Sequence, residues 1–502
     1  MTAALSNAVL DTLFPETEDP MQDVIDRARA AQVGWGQRSL SDRLARIARF
    51  RRLLVDRADE ALESIELPQR SPGETIAAEV LPLADACRYM ELYACRVLQT
   101  RAVGRRGRPL WCAGTRIRIS REPHGVVLIL GPSNYPLMLP GVQLLQALAA
   151  GNAVLLKPGR RSSSAARLLL ELCIAAGIPT DLVALLPEEL GAYRAALAAG
   201  VDFVTLTGSS STGRRVLADL SETLTPAVME LSGCDAVFVM ASANLDIAAR
   251  AVAFGLMLNG GATCLSPRRL FIAPEIRQDF VARLVRRLQD FAPTVVEAGA
   301  AARVIQTIDS ALAEAAVRLC GEPSPSAWQA VVLDNVQPEM PVARSDLFAP
   351  VTCVMASRDL EEAVEWYHRC PYQLGASVFG APDEAATLAD RLRAGSVVIN
   401  DLIAPTADPR APFPAWGESG YGVTRGAEGL LAMTRVKATI EQRSRWRPHL
   451  DVPGAPDLQQ MRHLLQFTHG SDWLSRCRGL WGLIKSRKPQ SAATSPETVR
   501  KV

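Results

Sequence analysis

Apolar residues recur at three- and four-residue spacing amid Arg and Glu over residues 21–31, 41–58 and 73–98, a pattern that predicts amphipathic helices. From about residue 125 the rhythm changes. Short apolar runs at 126–130, 153–156, 182–186, 203–206 and 227–231 alternate with helical stretches. Strands separated by helices predict βαβ units, right-handed crossovers and a mostly parallel sheet. A second alternating series covers 236–240, 269–273, 351–355, 377–379 and 396–400, so two α/β domains are expected, joined near 232–236. Ahead of the first series, residues 115–121 (TRIRISR) alternate β-branched residues with Arg, which suits an exposed or interface strand. Residues 125–156 carry no charge at all, yet Pro132, Asn134, Pro136, Pro140 and Asn152 break them up. A buried strand–turn–helix–strand is expected there, not a membrane span. Beyond about 446 the α/β rhythm stops.

Charge alters this picture mainly by exclusion. The 502 residues carry 55 basic and 53 acidic side chains, a net of +2, which argues against a protein built to grip nucleic acid. Only five of the basic residues are Lys, and only Lys157 and Lys437 precede residue 445. The ten cysteines form no C-x-x-C pair and the five His are not interleaved with them at zinc spacing, so no metal site is expected. Scattered thiols and an N-terminus without a secretory pattern point to the cytoplasm. The segment 446–502 is different: nine basic against four acidic residues, and a stretch at 473–488 (WLSRCRGLWGLIKSRK) that interleaves Trp, Leu and Ile with Arg and Lys. That composition fits an interfacial helix on anionic lipid or a partner, or equally a tail docked on its own body. Gly479 and Gly482 weaken it as a helix.

Two places carry candidate chemistry. Thr207-Gly208-Ser209-Ser210-Ser211-Thr212-Gly213 follows an apolar strand and precedes a helix, where free N–H groups can meet a diphosphate. Its G-x-x-x-x-G spacing is not the usual dinucleotide fingerprint, and an ordinary βα turn would read the same. Cys264 follows the Gly260-Gly261 break at the end of an amphipathic helix, unlike cysteines that merely fill a core. Thirty-four residues earlier Glu230 closes an apolar strand, and a charge in such surroundings needs a partner or a task.

With these pieces in order, the sequence resembles the NAD(P)-dependent aldehyde dehydrogenase superfamily over roughly residues 20–440. The matching segments are Pro132-Ser133-Asn134-Tyr135-Pro136, Gly151-Asn152 through Lys157-Pro158, Thr207-Gly208-Ser209 to Gly213, Glu230-Leu231-Ser232-Gly233 and Asn259-Gly260-Gly261 to Cys264. Asp346-Leu347-Phe348-Ala349-Pro350, Gly395 to Asn400, and Pro412-Phe413 with Ser419-Gly420-Tyr421-Gly422 come later in the chain. The resemblance implies an α/β fold with a Rossmann-type cofactor domain over 1–114 and 122–232 and a catalytic α/β domain over 233–426. It further implies bridging strands at 115–121 and 427–445 that pair between subunits of a homodimer or homotetramer, ahead of the basic tail at 446–502.

The same resemblance implies an aldehyde substrate, Cys264 as nucleophile, Asn134 as an oxyanion donor and Glu230 as the base that activates water. It places cofactor contacts at Lys157, Arg160, Gly208, Ser209, Gly213, Leu231, Asp346 and Phe348. Four departures stand out. Arg160 replaces a Glu that selects NAD in many members, which favours NADP over NAD here. Asp346 is one methylene shorter than the family Glu, Ser133 replaces a Trp, and Thr424 replaces a Glu proposed to relay protons. Ala262 and Ala349 also depart from the family's residues. These changes keep two alternatives open, a catalytically silent scaffold and a coenzyme A-acylating enzyme, though Glu230 disfavours the second. By residue type Met138, Leu265 and Trp416 are expected on the walls of an apolar substrate pocket.

Overall fold

The structure is a computed structural model that describes residues 20–445, 450 and 457–485. It divides into two compact units, one comprising the residues up to Thr100 with Ser120–Lys437, the other Arg101–Ile119 with the residues from Ala438 onward.

The first unit holds both α/β sheets. The apolar runs become strands because their side chains are buried on both faces, as in Val126–Leu130, where all five residues are buried. The first sheet has six strands in the order Gly420–Tyr421, Ala227–Glu230, Phe203–Thr207, Val126–Leu130, Ala153–Lys157, Val183–Leu185. All neighbours are parallel except Gly420–Tyr421, which runs antiparallel to Ala227–Glu230 with Gly420 opposite Glu230. From Val126–Leu130 the chain builds outward to one side and then crosses back to Phe203–Thr207 on the other. That reversal opens a crevice at the carboxyl ends of these two strands, where open α/β sheets bind ligands. The loops leaving them are Gly131-Pro132-Ser133-Asn134 and Gly208-Ser209.

The second sheet has seven strands in the order Val317–Cys320, Val331–Val336, Val351–Met355, Pro267–Ile272, Asp235–Val239, Gly375–Phe379, Ser396–Ile399. Only the first pair is antiparallel. Val317–Cys320 and Val331–Val336 were not anticipated: Asp334 and Asn335 interrupt the second with turn-type residues, and the first is almost entirely exposed. The expected helix over 73–98 is present but broken by a π turn at Ile76–Val80 between Pro72–Thr75 and Leu81–Leu98.

The second unit contains Arg101–Val103, which pairs antiparallel with Thr115–Pro123 in a three-stranded sheet completed by Thr434–Gln442. Its tail forms two helices, Asp457–His469 and Trp473–Lys485. The glycines that weaken the second helix are its packing surface. A Cβ at Gly479 would lie 2.4 Å from the Phe467 nitrogen and one at Gly482 2.4 Å from the His463 ring. Trp473, Trp481 and Ile484 remain exposed. No helix among the described residues is long and apolar enough to cross a membrane.

Candidate active site

Cys264 sits just past a distorted turn, Leu258–Gly261, in which Asn259 and Gly260 adopt left-handed backbone angles. Gly261 is also left-handed, and a Cβ on it would lie 2.4 Å from the Ala349 carbonyl carbon, so no larger residue fits. Arg268, fully buried, ties the same two loops together through its Nη2 to the Gly261 carbonyl at 2.6 Å and its Nη1 to that of Ala349 at 2.5 Å.

Cys264 and Glu230 line one cavity of about 1250 Å³. Glu230 is buried at the end of its strand and accepts a hydrogen bond from Thr424 Oγ1 at 3.0 Å. Burial pushes its carboxyl above the usual range, against the pull of Arg425 and of the Thr424 hydroxyl. The Cys264 thiol is likewise pushed up, by burial and by the negative charges of Glu230, Asp235 and Asp346, with Arg425 opposing. Arg425 was not singled out from the sequence. It is 7% exposed, donates to the Thr406 carbonyl at 2.6 Å and lies over the Phe413 ring at 4.2 Å. A fixed cation beside a thiol and a carboxylate favours the ionised form of each.

Met138 and Leu265 line the cavity as expected; Trp416 is not among its walls and is exposed. The walls come instead from Leu81, Tyr89 and Leu92 of the helix Leu81–Leu98, and from Phe254, Phe291 and Val295. Helical periodicity assigns Leu81 and Leu92 to no particular face of the fold, so nothing in the sequence marked them.

Asn134 is buried and its side-chain amide donates to the Ala262 carbonyl at 3.0 Å, two residues before Cys264. Asn259 Nδ2 donates to the carbonyls of Asn134 and Ala262, and the Tyr135 hydroxyl lies 2.7 Å from that of Thr263. A fully buried ion pair supports this loop from behind. Arg70 Nη1 meets Glu79 Oε1 at 2.6 Å, Arg70 Nη2 donates to the Asn134 carbonyl at 2.7 Å, and Glu79 Oε2 accepts the Leu137 and Met138 N–H groups. Burial pushes the Glu79 carboxyl up and Arg70 offsets it. Removing one partner leaves the other charge buried and alone. Arg70→Met is therefore expected to cost about 3–5 kcal/mol in chemical denaturation, and the double variant Arg70→Met/Glu79→Leu less than that. Equal losses in the two would contradict the pairing.

Of the expected cofactor residues, Lys157, Gly208, Ser209 and Leu231 stand at or just beyond the carboxyl ends of strands in the first sheet, Gly213 lies in the helix that follows Ser209, and Asp346 and Phe348 lie in the loop ahead of Val351–Met355. Ser209 caps the helix Ser210–Ser221 by accepting the Thr212 N–H. A Cβ on Gly213 would lie 2.6 Å from the Leu231 side chain, so the helix approaches that residue closely. Gly208 donates its N–H to the Glu230 carbonyl at 3.0 Å. Lys157, at the end of Ala153–Lys157, is half-buried and donates to the Pro158 carbonyl at 2.9 Å. Asp346 lies 3.8 Å from Arg268; burial pushes its carboxyl up to about 7, against the pull of Arg268, the Ser232 hydroxyl and the Phe348 and Gly233 N–H groups. Phe348 holds a left-handed backbone angle. Arg160 is exposed and pairs with Glu297 at 3.2 Å. A capped helix start, a half-buried ammonium and a buried carboxylate together fit a dinucleotide.

Comparison with known proteins shows which family the chain resembles in sequence and fold. The model of the aldehyde dehydrogenase family matches residues 4–439. The 4,4'-diapolycopene aldehyde oxidase of Methylomonas sp is 29% identical, the match covering 91% of this chain and 89% of that one. Indole-3-acetaldehyde dehydrogenase of P. syringae, solved with NAD+, has TM-score 0.78 and 26% identity over 84% of this chain and 88% of its own. The NADP-dependent glyceraldehyde-3-phosphate dehydrogenase of Bacillus halodurans C-125, solved with NADP, has TM-score 0.77 and 27% identity, covering 85% and 92%.

Proposed function

The chain belongs to the aldehyde dehydrogenase family, and from that premise we propose that it oxidises an apolar aldehyde to its carboxylic acid through a thioester on Cys264. The observation that carries this is the shared cavity, in which one thiol and one buried carboxylate face a largely apolar wall. An aldehyde carbon gives up hydride poorly until a nucleophile has made it tetrahedral. The Cys264 thiolate adds to the carbonyl carbon, and the oxygen that becomes anionic is held by the Asn134 amide and the Cys264 N–H. When bound, NAD(P)+ supplies the two-electron acceptor for the hydrogen on that carbon. Lys157, Gly208, Ser209, Gly213, Leu231, Asp346 and Phe348 would hold it. Glu230 then takes a proton from water, whose oxygen attacks the thioester carbon; the Cys264–carbon bond breaks and the acid leaves.

Thr424, which takes the place of a family Glu, donates to Glu230 and so orients the base. The ten cysteines are all unpaired, which supports a cytoplasmic enzyme. The domain assignment rests on the same premise: cofactor domain at 1–114 and 122–232, catalytic domain at 233–426, and pairing strands at 115–121 and 427–445 in a homodimer or homotetramer.

The direct test is a panel of aldehydes from short acidic to long apolar, assayed with NAD+ and with NADP+. Aldehyde-dependent reduced nicotinamide, with kcat/KM rising from the short to the long apolar members, is expected. No turnover with any of them would reject the reading.

A further inference from the structure

The adenosine end of the site holds a carboxylate where a phosphate would need free donors. The helix Ser163–Ala175 begins just beyond Lys157-Pro158-Gly159-Arg160-Arg161. Glu188 lies three residues past the neighbouring parallel strand Val183–Leu185 and reaches back to the start of that helix. Its Oε2 accepts the Arg161 N–H at 2.8 Å. Its Oε1 accepts the Ser162 and Ser163 N–H groups, each at 3.0 Å, and the Ser163 hydroxyl at 2.7 Å. Those N–H groups are the ones a helix start would offer a phosphate.

Burial pushes the Glu188 carboxyl up, but these hydrogen bonds outweigh it and hold the group below its usual range. Glu188 is thus ionised at neutral pH. With Glu189 it also supports the Lys157 ammonium, which burial alone would weaken. The two guanidinium groups of this loop are turned to other carboxylates, Arg160 to Glu297 at 3.2 Å and Arg161 to Glu66 at 3.7 Å. Oε2 of Glu188, with a single donor, keeps room for another.

We infer that Glu188 is the residue by which this chain selects NAD+ over NADP+, accepting the adenosine 2′-hydroxyl and repelling a 2′-phosphate. This rests on the proposed role of Lys157 as the adenosine ribose contact and replaces the preference for NADP that Arg160 implies. A carboxylate and a phosphate forced to adjoin at a partly solvated site cost enough to weaken binding by about tenfold or more.

Isothermal titration of the full chain with NAD+ and NADP+ tests this without reliance on turnover. The natural chain is expected to bind NAD+ at least about tenfold more tightly. Glu188→Gln, which keeps an oxygen for the helix N–H groups, should narrow that ratio about tenfold, chiefly through tighter NADP+. Arg160→Ala should leave the ratio within about twofold, because an exposed guanidinium in solvent adds little to a nucleotide contact that Glu188 decides. Equal or tighter NADP+ binding by the natural chain overturns the inference, and this needs no variant to fold. So does an unchanged ratio in a folded Glu188→Gln, or an Arg160→Ala chain that loses NADP+ tenfold. If neither nucleotide binds, the cofactor site itself is wrong and the inference falls with it. If both bind equally while aldehyde is oxidised, only the inference falls.

Discussion

Replacing Cys264 by Ala is expected to reduce aldehyde oxidation on the order of 10⁴-fold or more, to the background of the assay. No other cysteine lines the cavity that holds Glu230, so no neighbouring thiol can take over. Because burial and three carboxylates push the Cys264 thiol up, only a small fraction is thiolate at neutral pH. That fraction grows tenfold per pH unit below the thiol's own value, so kcat/KM for the natural chain should climb with pH through the neutral range. Two measurements check the assignment. One is turnover of Cys264→Ala across the aldehyde panel. The other is peptide mapping after brief alkylation, where aldehyde should protect Cys264 but leave the exposed Cys95 and Cys477 labelled. Retained turnover in the Ala variant, or no protection at Cys264, would defeat the mechanism.

Glu230→Gln should separate the two halves of the reaction. Thioester formation does not need this carboxylate, whereas hydrolysis does, and a positioned base contributes about 10²–10⁴-fold. Steady-state turnover is expected to fall by about that factor, preceded by one equivalent of reduced nicotinamide per site. Intact mass after a short exposure to aldehyde should show the acyl adduct on a chain that still contains Cys264. The pH dependence has a definite sign. Burial raises the Glu230 carboxyl, so the deprotonated base is present above its value and is lost as pH falls through it. Hydrolysis should therefore weaken on the acid side in the natural chain, and that limb should vanish in Glu230→Gln. A Gln variant with full turnover would remove Glu230 from the chemistry.

Val126–Leu130 and Val351–Met355 were legible as short apolar runs with the boundaries the pattern predicts, whereas the interior strand Val331–Val336 was hidden by Asp334 and Asn335. The edge strand Val317–Cys320 was not legible either, since an exposed strand has no apolar run to announce it. The site divides in the same way. Cys264, Glu230 and Asn134 stand in short continuous motifs. Arg70, Glu79 and Arg425 act across the chain, and one Arg among fifty carries no local sign that it will be buried. Arg160 differs again: its place in the motif was readable, but its exposed ion pair with Glu297 joins residues far apart in sequence.

The π turn at Ile76–Val80 gives an otherwise plain helix an unusual sensitivity to its own length. It holds one residue more than a regular turn would, and Glu79 lies within it, directed at Arg70 and at the start of the helix Met138–Ala150. Each residue added to or taken from a helix rotates its N-terminal part by about 100° relative to its C-terminal part. Losing one alanine from Ile76-Ala77-Ala78 would give a more regular helix and a poorer protein, because the acidic side chain would swing away from the guanidinium that holds the Asn134 carbonyl. At Ala77 and Ala78 substitution is the tolerant kind of change and insertion or deletion the intolerant kind, whereas Glu79 tolerates neither. The irregularity is thus a spacer set to one length, through which the helical layer fixes the position of the Asn134 loop.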